Sequence, residues 1–305
     1  MSSFRIPVLV LISITAAGAS ACGSDEPKSI TTTSAGADTP RPTASAAVKP
    51  ATTVTAVAVA VSDRYEDGES AYREGRYDDA AAIFTAYTSR RPDNAFGHYM
   101  LGLSSWKAGS LVDAVQSFDR ALEIDSTHVK SLLNSSRVYL ELNEPARALE
   151  RIQRAVTVDS TSAEAYRLLG RAFQVQGDAD SAIDAYRHAL VLDERDVWAM
   201  NNLGLLYIDL ARAEEAIGPL ARAVELRGNA PVFRNNLGIA LEGTGRYALA
   251  QEAYEGVLAV DSTYGKAAVS LDRVRPLVQE SDSARFDLGQ AAAEFAMQVR
   301  SWKQE

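Results

Sequence analysis

Three histidines and one cysteine are the residues best suited to metal or nucleophilic chemistry, and their placement supports neither. His98, His128 and His188 stand at unlike positions, none with a second His or Cys at metal-ligand spacing. Cys22, the single cysteine, excludes an intrachain disulfide or a thiolate metal cage. No P-loop, dinucleotide glycine fingerprint or G-x-S-x-G elbow occurs. The acidic pairs Asp78-Asp79 and Glu214-Glu215 fit the first turn of a helix, where negative charge suits the dipole. The expectation is no catalytic centre, no metal and no cofactor.

The remaining chemistry is recognition. Lys130, Arg137, Arg167 and Arg171 offer cations, and arginine forks grip carboxylates bidentately. Phe96, Tyr99, Trp106 and Trp198 offer large rings that bring contact area at little entropy cost. Asn134, Asn202 and Asn236 offer amides that donate and accept at once. Each set also has a plainer use. Tyr65 and Tyr99 suit helix packing; the arginines suit pairing with Glu141, Glu164 or aspartates a turn away. The asparagines equally suit neighbouring backbone groups.

What must position these side chains is a period of 34 residues. Alanine recurs at Ala80, Ala114, Ala148, Ala182, Ala216 and Ala250 with no insertion or deletion. Small residues keep phase at Gly68, Gly102, Ser136, Gly170, Gly204 and Gly238, and large apolar ones at Phe84, Phe118, Ile152, Tyr186, Leu220 and Tyr254. Each period has two runs with apolar residues three and four apart, hence two amphipathic helices. Where two helices cross closely only Gly, Ala or Ser leaves room, and a neighbouring ring fills the hole. In the period Ala163–Asp196, Gly177 stops the first helix by entering the left-handed region.

This pattern resembles the tetratricopeptide repeat family. The resemblance implies an all-α solenoid: six helix-turn-helix repeats at 61–94, 95–128, 129–162, 163–196, 197–230 and 231–264, within a segment 54–264. It also implies a right-handed superhelix whose first helices line a concave groove, where partner proteins or peptides bind. The groove then divides into an aromatic zone (Phe96, Tyr99, Trp106), a basic zone (Lys130, Asn134, Arg137, Arg167, Arg171) and a third zone with Trp198, Asn202 and Asn236. An acidic stretch with apolar anchors near Tyr99 and Trp106 is the expected ligand. The proline that closes such repeats survives as Pro92; Ser126, Ser160 and Ser262 replace it in Asp-Ser-Thr turns expected to cap the next helix.

Outside the repeats, residues 1–21 combine Arg5, the apolar run Ile6–Ala17 and small residues, the form of an export signal. Cys22 directly after Gly18-Ala19-Ser20-Ala21 resembles the lipobox of bacterial lipoproteins, which implies lipidation at Cys22; an ordinary cleaved signal is the alternative. Gly23, in place of Asp, points to the periplasmic face of the outer membrane in a host with two membranes. Residues 22–53, rich in Ser, Thr, Ala and Pro, are expected to be a disordered tether. Residues 265–305 are expected to hold a short helix stopped by Pro276 and a final helix over about Asp282–Lys303. Its apolar stripe either covers the end of the last repeat or contacts a second chain.

The formal charge is −9, and after Pro50 there are 27 Lys and Arg against 37 Asp and Glu. That balance argues against nucleic acid, whose phosphates demand a basic surface. Together these readings describe a lipid-anchored binding scaffold of the cell envelope, whose layout resembles the pilotin-type lipoproteins of type IV pili and secretins. The alternative is an accessory subunit that recruits an envelope enzyme, such as a peptidoglycan enzyme or protease, or a transporter.

Overall fold

The computed structural model describes residues 62–278 and 286–304. The leader 1–21, Cys22, the tether 22–53 and Val54–Val61 lie outside the described residues.

Every described repeat is a pair of helices, and the pairs follow one another without a break. They are α1 (Tyr65–Arg73) with α2 (Tyr77–Arg90), α3 (Ala95–Lys107) with α4 (Leu111–Ile124), and α5 (Val129–Glu141) with α6 (Pro145–Val158). Then come α7 (Ala163–Gln176) with α8 (Ala179–Leu192), α9 (Val197–Asp209) with α10 (Ala213–Leu226), and α11 (Pro231–Gly243) with α12 (Tyr247–Val260). All six second helices begin 34 residues apart, so the phase read from alanine is the phase of the backbone. The fold is an all-α repeat solenoid, with no strand among the described residues.

Within a repeat, the small residue of the first helix meets the large residue of the second. A methyl group on Gly102 would stand 2.7 Å from the Phe118 ring, and one on Gly238 would stand 2.5 Å from the Tyr254 ring. Phe118 and Tyr254 have no exposed surface. Burying such a side chain contributes about 1.5–3 kcal/mol. The phase-locked alanines from Ala80 to Ala250 are all fully buried. Between the two helices one residue per repeat takes positive φ: Gly75, Gly109, Asn143, Gly177, Ala211 and Gly245. Ala211, at φ 58°, carries a Cβ into a region that L-residues avoid.

The Asp-Ser-Thr turns act differently from expectation. Asp125, Asp159 and Asp261 each accept from the backbone N–H and the hydroxyl of the Thr two residues on, bracing the turn itself. Helix N-termini are capped by other side chains: Asn94 for α3, His128 for α5, Ser162 for α7 and Asp196 for α9. The serine at the centre of each turn is too far back along the chain to reach the helix start.

The C-terminal segment corrects a second expectation. α13 (Gly265–Val274) is a seventh first-type helix that covers α12 and touches α11, and Pro276 turns the chain into a short 3-10 segment, Arg275–Leu277. The last helix, α14 (Leu288–Trp302), starts later than predicted, with Asp287 as its cap. It does not cover the end of the array. It folds back onto α10 and α8, burying Ala292, Phe295 and Val299. Gly218 makes this possible: a methyl group there would sit 3.2 Å from Phe295 Cβ. Arg300 and Lys303 then pair with Glu194 at 3.3 and 2.8 Å.

Candidate functional site: the face of the first helices

Side chains on successive first helices reach one another at a spacing one residue longer than the repeat. Asn134 donates to the Tyr99 hydroxyl at 3.4 Å, Trp106 Nε1–H to Glu141 at 2.9 Å, and Gln174 to Asp209 at 3.2 Å. The amide of Asn236 donates to Asn201 Oδ1 at 2.8 Å. These bonds run across the face like rungs and bring most of the predicted site residues onto one surface. They also consume much of its polar capacity.

The aromatic zone is a ladder of rings. Tyr65 and Phe96 lie 5.9 Å apart, Phe96 and Tyr99 5.5 Å, and Tyr99 and His128 5.1 Å between centroids. Phe96 is 45% exposed, whereas Tyr99 is 8% exposed and packs tilted against Phe118, 6.0 Å between centroids. Tyr99 is therefore a support for Phe96 rather than a ligand contact. Its hydroxyl pKa is raised because burial disfavours the phenolate. Trp106 is half-buried, held by its bond to Glu141 and by Lys107 stacked 5.4 Å from its ring. His128 belongs to this cluster, and sequence reasoning missed it; the missed signal is its position just before Val129, where a capping acceptor is needed.

The basic zone is largely neutralised from within. Arg137 is paired with Glu164 and donates to Asn134 Oδ1 at 2.5 Å. Arg167 is paired with Asp196 at 2.8 Å. Glu164 lies in α7 and Asp196 caps α9, so both arginines tie one first helix to the next; Arg167 also lies 4.0 Å from Glu164, one turn away on its own helix. Lys130 and Arg171 are exposed and have no ion-pair partner among the described residues. Those two carry the free positive charge of the zone.

The third zone divides in the same way. Trp198 is 44% exposed, seated edge-to-face on Phe233 at 5.0 Å. Asn236 is 6% exposed and bonded within the face, so it serves the inter-repeat contact and not a ligand. Asn202 is half-buried and receives the Asn201 amide at 3.4 Å. Asn235, beside Asn236 on α11, has a buried Oδ1 with no partner. It lines a cleft of about 440 Å3 together with Ile239 of α11 and with Lys266 and Val269 of α13.

Among the described residues no group of three or more His, Cys, Asp or Glu side chains is arranged to hold a metal ion. No described helix is long and apolar enough to cross a membrane. What the face offers is exposed rings, two free cations and a row of amides on a rigid helical support. A family profile described as Tetratricopeptide repeat matches residues 65–128, 133–197 and 170–231, more than half of the chain.

The chain belongs to the tetratricopeptide repeat family.

Solved structures share the fold. The tetratricopeptide array resembles pilF of Pseudomonas aeruginosa, with a TM-score of 0.55 and 19% identity over 70% of this chain and 93% of that one. It resembles a thermophilic tetratricopeptide protein of Thermus thermophilus, TTC0263, with a TM-score of 0.51 and 21% identity over 60% of this chain and all of that one. Against the Cut9-Hcn1 hetero-tetramer of APC/C the TM-score is 0.59 and the identity 18%, over 68% of this chain and 41% of that one. At these identities the likeness shows the fold alone. No curated protein matches the sequence. Tetratricopeptide repeats make a scaffold suited to protein–protein interaction, and the first-helix face is built accordingly.

Proposed function

We propose that this protein is a non-catalytic scaffold that holds an extended segment of a partner protein along its first-helix face, anchored to the cell envelope through a lipidated Cys22. The observation that carries the binding reading is Phe96, a large ring left 45% exposed while Tyr65 and Tyr99 fix it from either side. A ring already ordered loses little freedom when a ligand covers it. Trp198, supported by Phe233, is a second anchor of the same kind three repeats further on. Lys130 and Arg171 lie between them in the sequence and suit an acidic stretch in the bound segment.

The leader, the cysteine after small residues and the Ser/Thr/Pro-rich tether support export and anchoring, with the periplasmic face of an outer membrane as the site in a host with two membranes. The layout supports a part in assembling a pilus, secretion or outer-membrane complex. Crosslinking in the native envelope, read by mass spectrometry, tests the scaffold reading. Wild-type protein is expected to capture a defined partner set that Phe96→Ala with Trp198→Ala depletes; an unchanged set removes the first-helix face from the account. Metabolic labelling with a clickable fatty acid tests the anchor: label is expected on wild type and not on Cys22→Ala, and an unlabelled wild type ends that part.

A further inference from the structure

The second-helix side of the array has a groove that the chain partly fills in one place and that no described residue covers in another. α14 lies across α8 and α10 and walls a remaining cavity of about 450 Å3 that includes Tyr207. Two repeats earlier, the equivalent groove between α4 and α6 lies above Tyr139 and has a volume of about 500 Å3. Its apolar rim is Val112, Val115 and Leu142, with Val112 61% exposed. The constant repeat length makes both grooves the same backbone feature, so the seated α14 shows what fits: one amphipathic helix.

The side chains that choose the helix are inverted in charge between the two grooves. Arg187, stacked on Trp302 in the filled groove, corresponds by phase to Asp119 in the open one. Arg212 corresponds to Glu144, and Glu215 to Arg147. Where Gly218 admits Phe295, the open groove carries Glu150. Ser126 replaces Glu194, the carboxylate that holds Arg300 and Lys303. A second copy's α14 therefore meets an occupied floor and lacks its anchoring acid. Asp119 is paired with Arg151 at 2.8 Å, yet burial still holds its carboxyl above the usual carboxylate range. Glu150 has no ion-pair partner among the described residues. The open groove has room for one more cation.

We propose that the α4–α6 groove binds an amphipathic helix of a different protein, with small apolar residues on its buried stripe and a lysine or arginine that reaches Asp119 and Glu150. The site is separate from the first-helix face and stands whether or not that face binds a peptide.

The full chain is titrated with two fluorescein-labelled stapled helices of α14's length, 15 residues, alike in an Ala/Leu stripe and differing only in one Lys or Glu at its edge. By anisotropy the Lys helix is expected to saturate and to bind roughly tenfold or more tightly than the Glu helix. Val112→Asp and Asp119→Asn are each expected to weaken the Lys helix by a similar factor, and a peptide of residues 288–302 is expected not to bind. Val112 is largely exposed, so its variant keeps the fold and decides the matter if the Asp119 variant does not fold. No saturable binding, equal binding of both helices, or affinity unmoved by Val112→Asp overturns the proposal. So does a dimer that dissociates on Val112→Asp, which would assign the groove to a second copy.

Discussion

A methyl group on Gly170 would stand 2.6 Å from the Tyr186 ring, a separation at which one of the two must move. Tyr186 is fully buried and its hydroxyl is tied to Gln174 at 3.0 Å, so the ring has nowhere to go. An alanine in a helix ordinarily gains about 1 kcal/mol over glycine, but here overpacking, about 1–3 kcal/mol, opposes it. Gly170→Val is expected to destabilise by about 2–3 kcal/mol in urea unfolding. Gly170→Ala combined with Tyr186→Ile is expected to recover part of any loss shown by Gly170→Ala alone, whereas Tyr186→Leu is not, because a methyl group on Gly204 would stand 2.5 Å from Leu220. Ser136 with Ile152 is the natural form of that exchange, a side chain gained on one helix and a ring lost on the other.

Ala211 offers the opposite case. It occupies the left-handed turn position, φ 58°, that four other repeats give to glycine. Ala211→Gly is expected to raise stability by about 0.5–1 kcal/mol, the relief of a left-handed Cβ less the extra freedom of an unfolded glycine. Gly177→Ala, at φ 82°, is expected to lower it by about 1 kcal/mol. Thermal unfolding of the two variants should move in opposite directions.

The internal pairing of the basic zone separates charge changes that disturb folding from those that disturb binding. Arg137→Glu sets a carboxylate against Glu164 and is expected to destabilise by about 1 kcal/mol. Lys130→Glu with Arg171→Glu removes no ion pair among the described residues and is expected to leave the unfolding midpoint unchanged. The same double variant is expected to weaken an acidic peptide at least several-fold by anisotropy, more strongly at low salt than at high. Equal binding by wild type and double variant would take acidic recognition away from this face.

Two histidines make stability depend on pH. His128 Nδ1 accepts from the Ser131 backbone N–H at 3.2 Å, which requires a neutral ring. Burial lowers the pKa of His128 and of His98 below the ordinary 6.5. A histidine depressed in the folded state binds its proton more readily when unfolded, so its contribution is complete above 6.5 and is lost as pH falls through the folded value. The unfolding midpoint is therefore expected to drop as the pH falls below about 6.5. His128→Asn keeps a capping acceptor and should flatten that slope; an unaltered slope would show that His128 does not contribute to it.

The repeats were legible because packing enforces them: each Gly or Ser against its large apolar partner, and each fully buried alanine, is a contact that tolerates few alternatives. The site was legible only as a surface. Phe96 and Trp198 emerge as exposed rings, but Tyr99 and Asn236 share their helix face and are buried by neighbours a repeat away. Arg137 and Arg167 illustrate the same limit, since their partners Glu164 and Asp196 are remote in sequence and adjacent in space. The destination of α14 was hidden for a related reason. An amphipathic stripe records that a helix is covered, while its location depended on Gly218 and Pro219, unusual residues inside α10 whose purpose appears only once Phe295 lies against them.

In a linear array each unit touches its neighbours, so strain or heat can fray the stack from its free end one unit at a time. The return of α14 to α8 and α10 changes that. A chain segment that leaves after α13 is fastened two repeats back through Phe295 and three repeats back through the Glu194 ion pairs, and encloses everything between. Tension on the C-terminus must first peel α14 from its seat. Until it does, the last repeats bear load together as a closed clasp while the first repeats remain free to unwind singly.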